Sequence, residues 1–325
     1  MKIVIFGGGT GLSNILTGLK KDYGKKIKNL TAVVTVADSG GSSGILRQVY
    51  DIPAVGDLRN CLLALSNIEN YVRKVMQYRF TEGQGLRGHP LGNLFLVALL
   101  ETEGNILKAV KKAAKILNIS GEVFPVTFEK TELIAFFEDK SKIVGENEIT
   151  NYGILSQKRI VSLKIRPENP KVPKELVKRI EVADVLIFGP GSLYTSILPN
   201  VLIKKIKETI EKSKALRIFI VNLLTQPGET DNFSASQHLK EFLRISGLNK
   251  IDIAILNCGK PSKEQEARIK DENKKLVEND LEELEKMGVK FYLADLINQK
   301  DIYVKHDPFR LRDVILKIVK DYDII

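Results

Sequence analysis

The sequence predicts an α/β fold in which helices cover both faces of a doubly wound, mostly parallel β-sheet. Short runs rich in valine, isoleucine and leucine recur along the 325 residues, and segments with helical spacing of apolar residues separate them. Nearly continuous apolar runs are typical of parallel strands, because helices bury both of their faces. With 43% hydrophobic residues, the chain can also bury the large core that a three-layer fold needs.

Six apolar runs are the predicted strands, and they alternate with predicted helices. The predicted strands span residues 2–6, 31–37, 185–188, 217–223, 251–257 and 289–294. The predicted helices span residues 12–21, 58–65, 91–101, 106–117, 194–213 and 234–245. The run 263–286 is dense in both charge signs and indicates a further, solvated helix.

One stretch departs from this alternation. Apolar and polar residues tend to alternate between Val123 and Ile165, and Pro167, Pro170 and Pro173 follow. We therefore expect a small β-rich insertion over about residues 121–170, ended by a proline-marked linker. The insertion would lie within a single domain formed by residues 1–325.

The formal net charge of +10 does not by itself indicate a nucleic-acid partner. Its lysines are scattered over predicted helices, as in Lys108, Lys111 and Lys115, and no arginine-rich stripe with interleaved aromatic residues is present. We interpret the charge as a solvated lysine surface that is compatible with an anionic ligand.

The remaining composition is typical of a cytoplasmic protein without a transmembrane segment. No apolar run reaches the roughly 20 residues that span a bilayer, and the start of the chain lacks a signal-peptide pattern. Cys61 and Cys258 are too few for a disulfide framework, so we expect two buried, reduced thiols. The three scattered histidines do not predict a zinc site.

Glycine-rich loops follow four of the predicted strands. These loops span residues 7–13, 38–44, 189–196 and 225–230. The carboxyl ends of parallel strands lie along one edge of the sheet, where ligands bind at a topological switch point. The loops contain more glycines than chain reversal requires, so we expect them to converge on one crevice that binds phosphate groups.

The first and third loops are the predicted phosphate cradles, because their main-chain amides precede a helix start. The candidate residues are Gly8, Gly9, Thr10, Gly11, Leu12, Gly189, Pro190, Gly191, Ser192 and Thr195. A dinucleotide fingerprint would need glycine where Leu12 stands, and the lysine of a Walker loop is also missing. The loops therefore predict phosphate binding without identifying NAD or ATP.

The second loop adds a carboxylate and hydroxyl groups. Its candidate residues are Asp38, Ser39, Gly40, Gly41 and Ser42. A carboxylate at a strand end can hold a ribose hydroxyl or a divalent cation, which makes Asp38 the candidate metal ligand. The alternative is a local role for Asp38 in an Asx-turn or helix cap.

Two predicted helix starts carry further candidates, namely Asp57, Arg59, Asn60, His89 and Asn93. Because the helix dipole disfavours a cation in the first turn, Arg59 either contacts a bound anion or forms an ion pair with Asp57. His89 either donates to a phosphate or acts in proton transfer, or it is a structural histidine. Spacing identifies no partner for a catalytic triad.

At these motifs the sequence resembles the CofD-like superfamily, and specifically its YvcK branch of gluconeogenesis factors. The similar segments are GGGTGLS, VADSGGSSG, VGDLRNCLLAL, GHPLGNL, GPGSLYTSILPN, NLLTQPGETDNFSASQHL and HDP, in order over nearly the whole chain. The last two segments and the residue before HDP add Asn222, Thr225, Gln226 and Lys305 to the candidate ligand-binding residues.

The resemblance implies a modified Rossmann-like core and binding of UDP-sugars, notably UDP-N-acetylglucosamine, with NAD-type dinucleotides fitting the same cleft. It also implies a role in cell-envelope growth and cell shape on gluconeogenic carbon sources. An enzymatic relative, 2-phospho-lactate transferase, moves a phospholactyl group from a guanosine diphosphate carrier with the help of magnesium. The acidic residue that matches Asp38 helps to hold the metal or the acceptor in that relative.

The chain departs from the branch at several positions. Ser39 replaces a second acidic residue and Ile45 a basic one, which weakens the prediction of a tightly held magnesium ion. Lys305 replaces an arginine, so the charge is kept but bidentate phosphate recognition is lost. A tyrosine of the late charged helix is replaced near Ile269.

Three classes of function follow. The first is a nucleotide-sugar-binding regulatory protein without turnover, and the second is a magnesium-dependent transferase that acts on a nucleotide-diphosphate-linked substrate. Incubation with a nucleotide sugar separates these two: the first predicts binding without any product, and the second predicts release of UMP, GMP or UDP. A nucleic-acid-binding module would instead show steep salt dependence, and we do not expect it. The sequence leaves regulatory protein partners and homo-oligomers open.

Overall fold

The computed structural model describes residues 1–324 and contains a seven-stranded sheet in which every strand pair is parallel. Its strands are β1 (Lys2–Gly7), β2 (Asn29–Val34), β3 (Glu122–Pro125), β7 (Val185–Phe188), β8 (Leu216–Ile220), β9 (Ile253–Asn257) and β10 (Lys290–Ala294). A second, antiparallel sheet consists of β4 (Glu132–Phe137), β5 (Lys142–Val144) and β6 (Ile160–Arg166). The predicted Rossmann-like α/β class is confirmed.

Helices cover both faces of the large sheet. Those of the first half are α1 (Gly9–Leu19), α2 (Gly41–Val49), α3 (Gly56–Leu65), α4 (Asn70–Gln77), α5 (Leu91–Glu103), α6 (Ile106–Ile116) and α7 (Glu146–Ser156). Those of the second half are α8 (Lys174–Glu181), α9 (Leu198–Val201), α10 (Lys204–Lys212), α11 (Ala235–Ser246), α12 (Lys263–Asp271), α13 (Leu281–Lys286) and α14 (Pro308–Asp321). None of these helices within residues 1–324 is long and apolar enough to cross a bilayer.

Strand alternation separates two apolar cores. Ile3 and Ile5 of β1 pack on one face of the sheet, with helices that include α1, α3 and α14. Val4 and Phe6 pack on the other face, where the ring of Phe6 stacks on that of Phe188 at 5.2 Å between centroids. Because successive side chains of a strand point to opposite faces, a continuous apolar run is needed to fill both cores.

The strand order is β10-β9-β8-β7-β1-β2-β3. From β1 the chain adds β2 and β3 on one side, and from β7 it adds β8, β9 and β10 on the other side. The topological switch point therefore lies between β1 and β7, which end at Gly7 and Phe188. This is the place in an open parallel sheet where the loops diverge and leave a crevice.

The predicted insertion begins later than expected. The segment Glu122–Pro125, within the range assigned to the insertion, is β3 and pairs in parallel with β2 at the edge of the large sheet. The small sheet and α7 follow, between Glu132 and Arg166. The apolar pattern could not distinguish an edge strand of the large sheet from a strand of the small one, because the pairing of β3 with β2 joins residues far apart in sequence.

Three other expectations need correction. The helix predicted over residues 194–213 is interrupted, since a π-helical turn (Leu193–Ile197) precedes α9 and α10 starts only at Lys204. The charged run 263–286 forms two helices, α12 and α13. Cys61 is buried as expected, but Cys258 is exposed, because it follows the end of β9.

Candidate functional site

A cavity of about 730 Å³ opens at the carboxyl edge of the large sheet beside the switch point. The loops after β1, β7 and β8 line it, and its volume is in the usual range for small-molecule sites. The predicted site residues on its lining are Thr10, Gly11, Pro190, Gly191, Asn222, Thr225, Gln226 and Lys305. Three of the four glycine-rich loops are thus brought to one cavity.

The loops after β1 and β7 pack backbone against backbone. A Cβ atom on Gly11 would lie 2.4 Å from the carbonyl oxygen of Pro190, so only glycine fits there. The helix α1 begins at Gly9, whose φ of +59° is a glycine conformation. Its cap residue, Gly8, supplies no side chain, and the first turn of α1 carries no acidic residue. The amide of Gly9 donates to Asp57, so the amides of Thr10 and Gly11, which line the cavity, are those that this helix start offers to an anion.

The third loop does not offer the amide that the sequence suggested. The N–H of Gly191 donates to Oδ1 of Asn222 at 3.1 Å, and Nδ2 of Asn222 donates to the carbonyl of Gly191 at 2.7 Å. Asn222 thus holds the loops after β7 and β8 together. The amide of Gly191 already has a partner in this structure, and phosphate binding by the third loop stays a prediction.

A buried carboxylate fixes the same loops from the other side. Oε2 of Glu229 accepts from the hydroxyl of Ser192 at 2.5 Å, and Oε1 accepts from Thr150 and from Gln226, both at 2.7 Å. The hydroxyl of Ser192 in turn accepts from that of Thr195 at 2.7 Å. Burial raises the pKa of Glu229 above its usual range. These polar side chains hold the loops in place. Glu229 lies in the fourth glycine-rich loop, but it is not among the predicted site residues.

The insertion contributes the roof of the site through α7. A Cβ atom on Gly153 would lie 1.9 Å from the carbonyl oxygen of Gly228, so α7 rests directly on the loop after β8. At its other end, the hydroxyl of Ser39 donates to Glu148 at 3.1 Å. Thr150 and Ile154 of α7 face the cavity. The helix therefore bridges the edge of the sheet from the β2 loop to the β8 loop.

The carboxyl groups of Asp38, Asp57 and Glu146 lie in or near α7 and beside the glycine-rich loops. Oδ1 of Asp38 accepts from the N–H of Gly40 at 2.7 Å, which is the Asx-turn that the sequence left as an alternative. Oδ2 of Asp57 lies 2.7 Å from the position of a Cβ atom on Gly8. Burial, followed by the charge of Asp38, raises the pKa of Asp57 to about 6 and that of Glu146 well above its usual range. The group therefore carries less negative charge than its composition suggests.

These carboxyl groups do not form a metal site by themselves. Among residues 1–324, no set of three histidine, cysteine, aspartate or glutamate residues is arranged to hold a metal ion. One oxygen of Asp38 is already engaged with Gly40. The residues present therefore do not fit a resident metal ion that the protein alone would hold.

A second set of predicted residues lies outside the lining of the cavity, around the starts of α2, α3 and α5. The ring of His89 hydrogen-bonds the hydroxyl of Ser42 at 2.8 Å, and Asn93 donates to that hydroxyl at 2.9 Å. Arg59 donates to Asn93 at 3.0 Å and to Asn60 at 2.6 Å. The guanidinium thus makes its hydrogen bonds to two amides, and the ion pair with Asp57, one of the two alternatives that the sequence leaves open, is not formed among the described residues.

The segment after β10 forms another wall of the cavity. Lys305 lies there, with Nζ 2.9 Å from Oδ2 of Asp301. The neighbouring His306 is buried, and its Nε2 atom has no hydrogen-bond partner among the described residues. Burial lowers the pKa of His306 to about 4, so its ring is neutral at pH 7.

The structure therefore divides the predicted residues into two groups. Those that do not line the cavity are Gly8, Gly9, Leu12, Asp38, Ser39, Gly40, Gly41, Ser42, Asp57, Arg59, Asn60, His89, Asn93, Gly189, Ser192 and Thr195. Cavity residues that the sequence did not suggest as ligand-binding are Asn14, Thr150, Ile154, Leu223, Leu224, Pro227, Glu272, Asn273, Lys274, Val304 and His306. For Leu223, Leu224 and Pro227, their position in or beside the glycine-rich loop 225–230 was the sequence feature that could have indicated a place at the cavity.

Comparisons with known proteins agree over nearly the whole length. A family model described as 2-phospho-L-lactate transferase CofD matches residues 3–297. A protein of Aquifex aeolicus, provisionally named a gluconeogenesis factor, is 47% identical over 99% of this chain and 97% of its own. The gluconeogenesis factor of Bacillus subtilis is 40% identical over 98% of both chains. A crystal structure of a Bacillus halodurans protein of the UPF0052 family is 37% identical, with a TM-score of 0.92, over 97% of this chain and 99% of that one.

Proposed function

This chain belongs to the CofD family, and we propose that it is a cytoplasmic regulatory protein that binds a nucleotide sugar of the UDP-N-acetylglucosamine type. Relatives that cover the chain are named gluconeogenesis factors. We further propose that binding reports nucleotide-sugar supply and so supports cell-envelope growth and cell shape on gluconeogenic carbon sources.

The observation that carries the proposal is the cavity at the switch point, with Thr10 and Gly11 of the first turn of α1 on its lining. A diphosphate is the ligand group that best matches main-chain amides at a helix start, because the helix dipole adds to their hydrogen bonds. Lys274 and Lys305 on the lining supply cations for the same charge. They are the two basic side chains that the lining contains.

The cavity also suits the uncharged parts of such a ligand. Asn14, Asn222 and Thr225 place amides and a hydroxyl on its lining, while Ile154 and Leu224 give it apolar surface. A few polar groups on a largely apolar wall are typical of sites that orient a small molecule. We propose binding without turnover, since these groups hold and orient a ligand. An NAD-type dinucleotide shares the diphosphate and is the competing ligand.

Isothermal titration calorimetry with UDP-N-acetylglucosamine tests the proposal. We expect saturable binding, with weaker binding of NAD, and no heat at millimolar ligand would refute it. A double variant, Lys274→Ala with Lys305→Ala, should lose at least about 10-fold in affinity, because charge-assisted hydrogen bonds to phosphate contribute about 1.5–3 kcal/mol each. Lys300→Ala, an exposed lysine outside the lining, is the matched control.

A transferase acting on a nucleotide-diphosphate-linked substrate is the second candidate. It is favoured by the description of the matching family model and by the carboxyl groups of Asp57 and Glu146 beside the glycine loops. Mass spectrometry of nucleotide sugars incubated with the protein, with and without magnesium, separates the two functions. Release of UMP, GMP or UDP in proportion to protein would establish turnover, whereas unchanged nucleotide sugars would favour the binding protein.

A further inference from the structure

A second depression, of about 390 Å³, adjoins the cavity. Ile154, Pro227 and Asn273 line both of them and form their common rim. The depression lies between the end of α7 and the loop that follows β8. A ligand in the cavity can therefore extend across this rim without leaving the surface of the protein.

Three non-glycine residues that line this depression have a left-handed backbone conformation. Gln157 has a φ of +55°, Asn232 of +59° and Asn273 of +51°. Within residues 1–324 only seven non-glycine residues have a positive φ, so nearly half of them meet here. Such a conformation disfavours residues with a Cβ atom, and glycine is the usual choice where backbone geometry alone matters.

The side chains at these positions are amides, and two of them have no protein partner. The side-chain amide of Asn232 accepts from Lys275, but those of Gln157 and Asn273 make no hydrogen bond to the described residues. Both residues follow a helix end, where glycine would end the helix equally well. Asparagine is the common alternative to glycine in the left-handed conformation, so local structure accounts for Asn273 but not for the amide of Gln157.

The rest of the lining is also suited to a hydroxyl-rich ligand. It includes the ring of Phe233, the carboxylate of Asp231 and the side chain of Arg159. Hydroxyl groups both donate and accept hydrogen bonds, as amides do, and the apolar face of a sugar packs on an aromatic ring. A simple phosphate would use fewer of these groups.

We propose that this depression binds the sugar of the nucleoside diphosphate sugar, and that Gln157 and Asn273 recognise its hydroxyl groups. The inference rests on the proposed function, because the nucleotide must occupy the neighbouring cavity. It assigns sugar specificity to Gln157 at the end of α7 in the insertion and to Asn273, the second residue after α12, on the common rim.

Replacement by glycine tests the inference, because glycine removes the amide while it keeps the backbone conformation. The variants are Gln157→Gly and Asn273→Gly, and the control is Asn118→Gly. Asn118 is an exposed residue with a φ of +45° that follows the end of α6 and lines neither space. Titration calorimetry with UDP and with UDP-N-acetylglucosamine gives both affinities for each protein.

We expect each test variant to bind UDP-N-acetylglucosamine about 3- to 10-fold more weakly, the loss of one or two net hydrogen bonds. Gln157→Gly should leave UDP affinity unchanged, whereas Asn273→Gly, which also alters the nucleotide cavity, should lose more affinity for the sugar nucleotide than for UDP. The control should bind both as the wild type does, and thermal unfolding should show all three variants folded. Equal losses for UDP and the sugar nucleotide, or no loss for either, would overturn the sugar assignment while the proposed function stands. If wild-type protein binds neither compound, the proposed function fails and this inference fails with it.

Discussion

Replacing Asp57 by asparagine should stabilise the protein above pH 6 and leave its stability unchanged near pH 4. In the folded state, burial and the nearby charge of Asp38 raise the pKa of Asp57 from 3.8 to about 6. Between these values the unfolded chain ionises while the folded carboxyl group stays protonated, so the free energy of unfolding falls as pH rises. Asparagine has the same shape and no charge, so the free energy of unfolding of the variant should not fall over this pH range.

The size of the effect follows from the pKa. A rise of about two units corresponds to about 3 kcal/mol at pH values above 6, at about 1.4 kcal/mol per unit. Asp57 lies in the first turn of α3, where the helix dipole favours a negative charge by about 0.3–1 kcal/mol. The hydrogen bond from the amide of Gly9 already acts on this pKa and is not subtracted again. We therefore expect the variant to be about 2–3 kcal/mol more stable at pH 7.5.

Urea unfolding at pH 4.5, 6.0 and 7.5 measures this difference directly. The matched control is Asp271→Asn, since Asp271 is an exposed aspartate at the end of α12. The difference between wild type and Asp57→Asn should widen as pH rises, whereas that of the control should stay near zero. Two results would show that the buried carboxylate does not destabilise the folded protein. One is an Asp57→Asn variant that is less stable than wild type at pH 7.5, and the other is a difference in free energy of unfolding that does not change with pH.

Three further predictions concern the loops and the wall of the cavity. Asn222→Ala removes both hydrogen bonds to Gly191, so the free energy of unfolding should fall by about 1–3 kcal/mol in urea titrations; an unchanged value would mean that the clamp is not formed. Gly11→Ala places a Cβ atom 2.4 Å from the carbonyl oxygen of Pro190, and we expect a loss of about 1–3 kcal/mol with weaker binding of nucleotide sugar in calorimetry. Wild-type affinity in this variant would show that the two loops move apart freely. His306 has a pKa of about 4 in the folded protein, so stability should be lost as pH falls from 6.5 towards 4, by about 3 kcal/mol in all. His306→Gln should flatten this part of the pH profile of thermal unfolding, and an identical slope would contradict the burial of the neutral ring.

Several elements could be predicted because their cause is local. The strands β1 and β7 follow from continuous apolar runs, and the glycines of the loops after them follow from backbone conformations that other residues avoid. The interruption of the helix predicted at 194–213 could not be placed, because Ser192, which caps the π-helical turn before α9, is held by Glu229 of a separate loop. The edge strand β3 was assigned to the insertion for a similar reason, since its partner β2 lies far away in sequence.

The sequence by itself determined the α/β class, the order of the glycine-rich loops and the edge of the sheet where they meet. These follow from side-chain hydrophobicity and backbone sterics, which act over a few residues. Only the tertiary structure decided that Asn222 occupies the amide of Gly191, that α7 forms a roof over the site, and that Asp57 lies against Gly8. Those pairings join residues from separate crossovers, and a hydrogen bond or a buried charge depends on distances that no local pattern encodes.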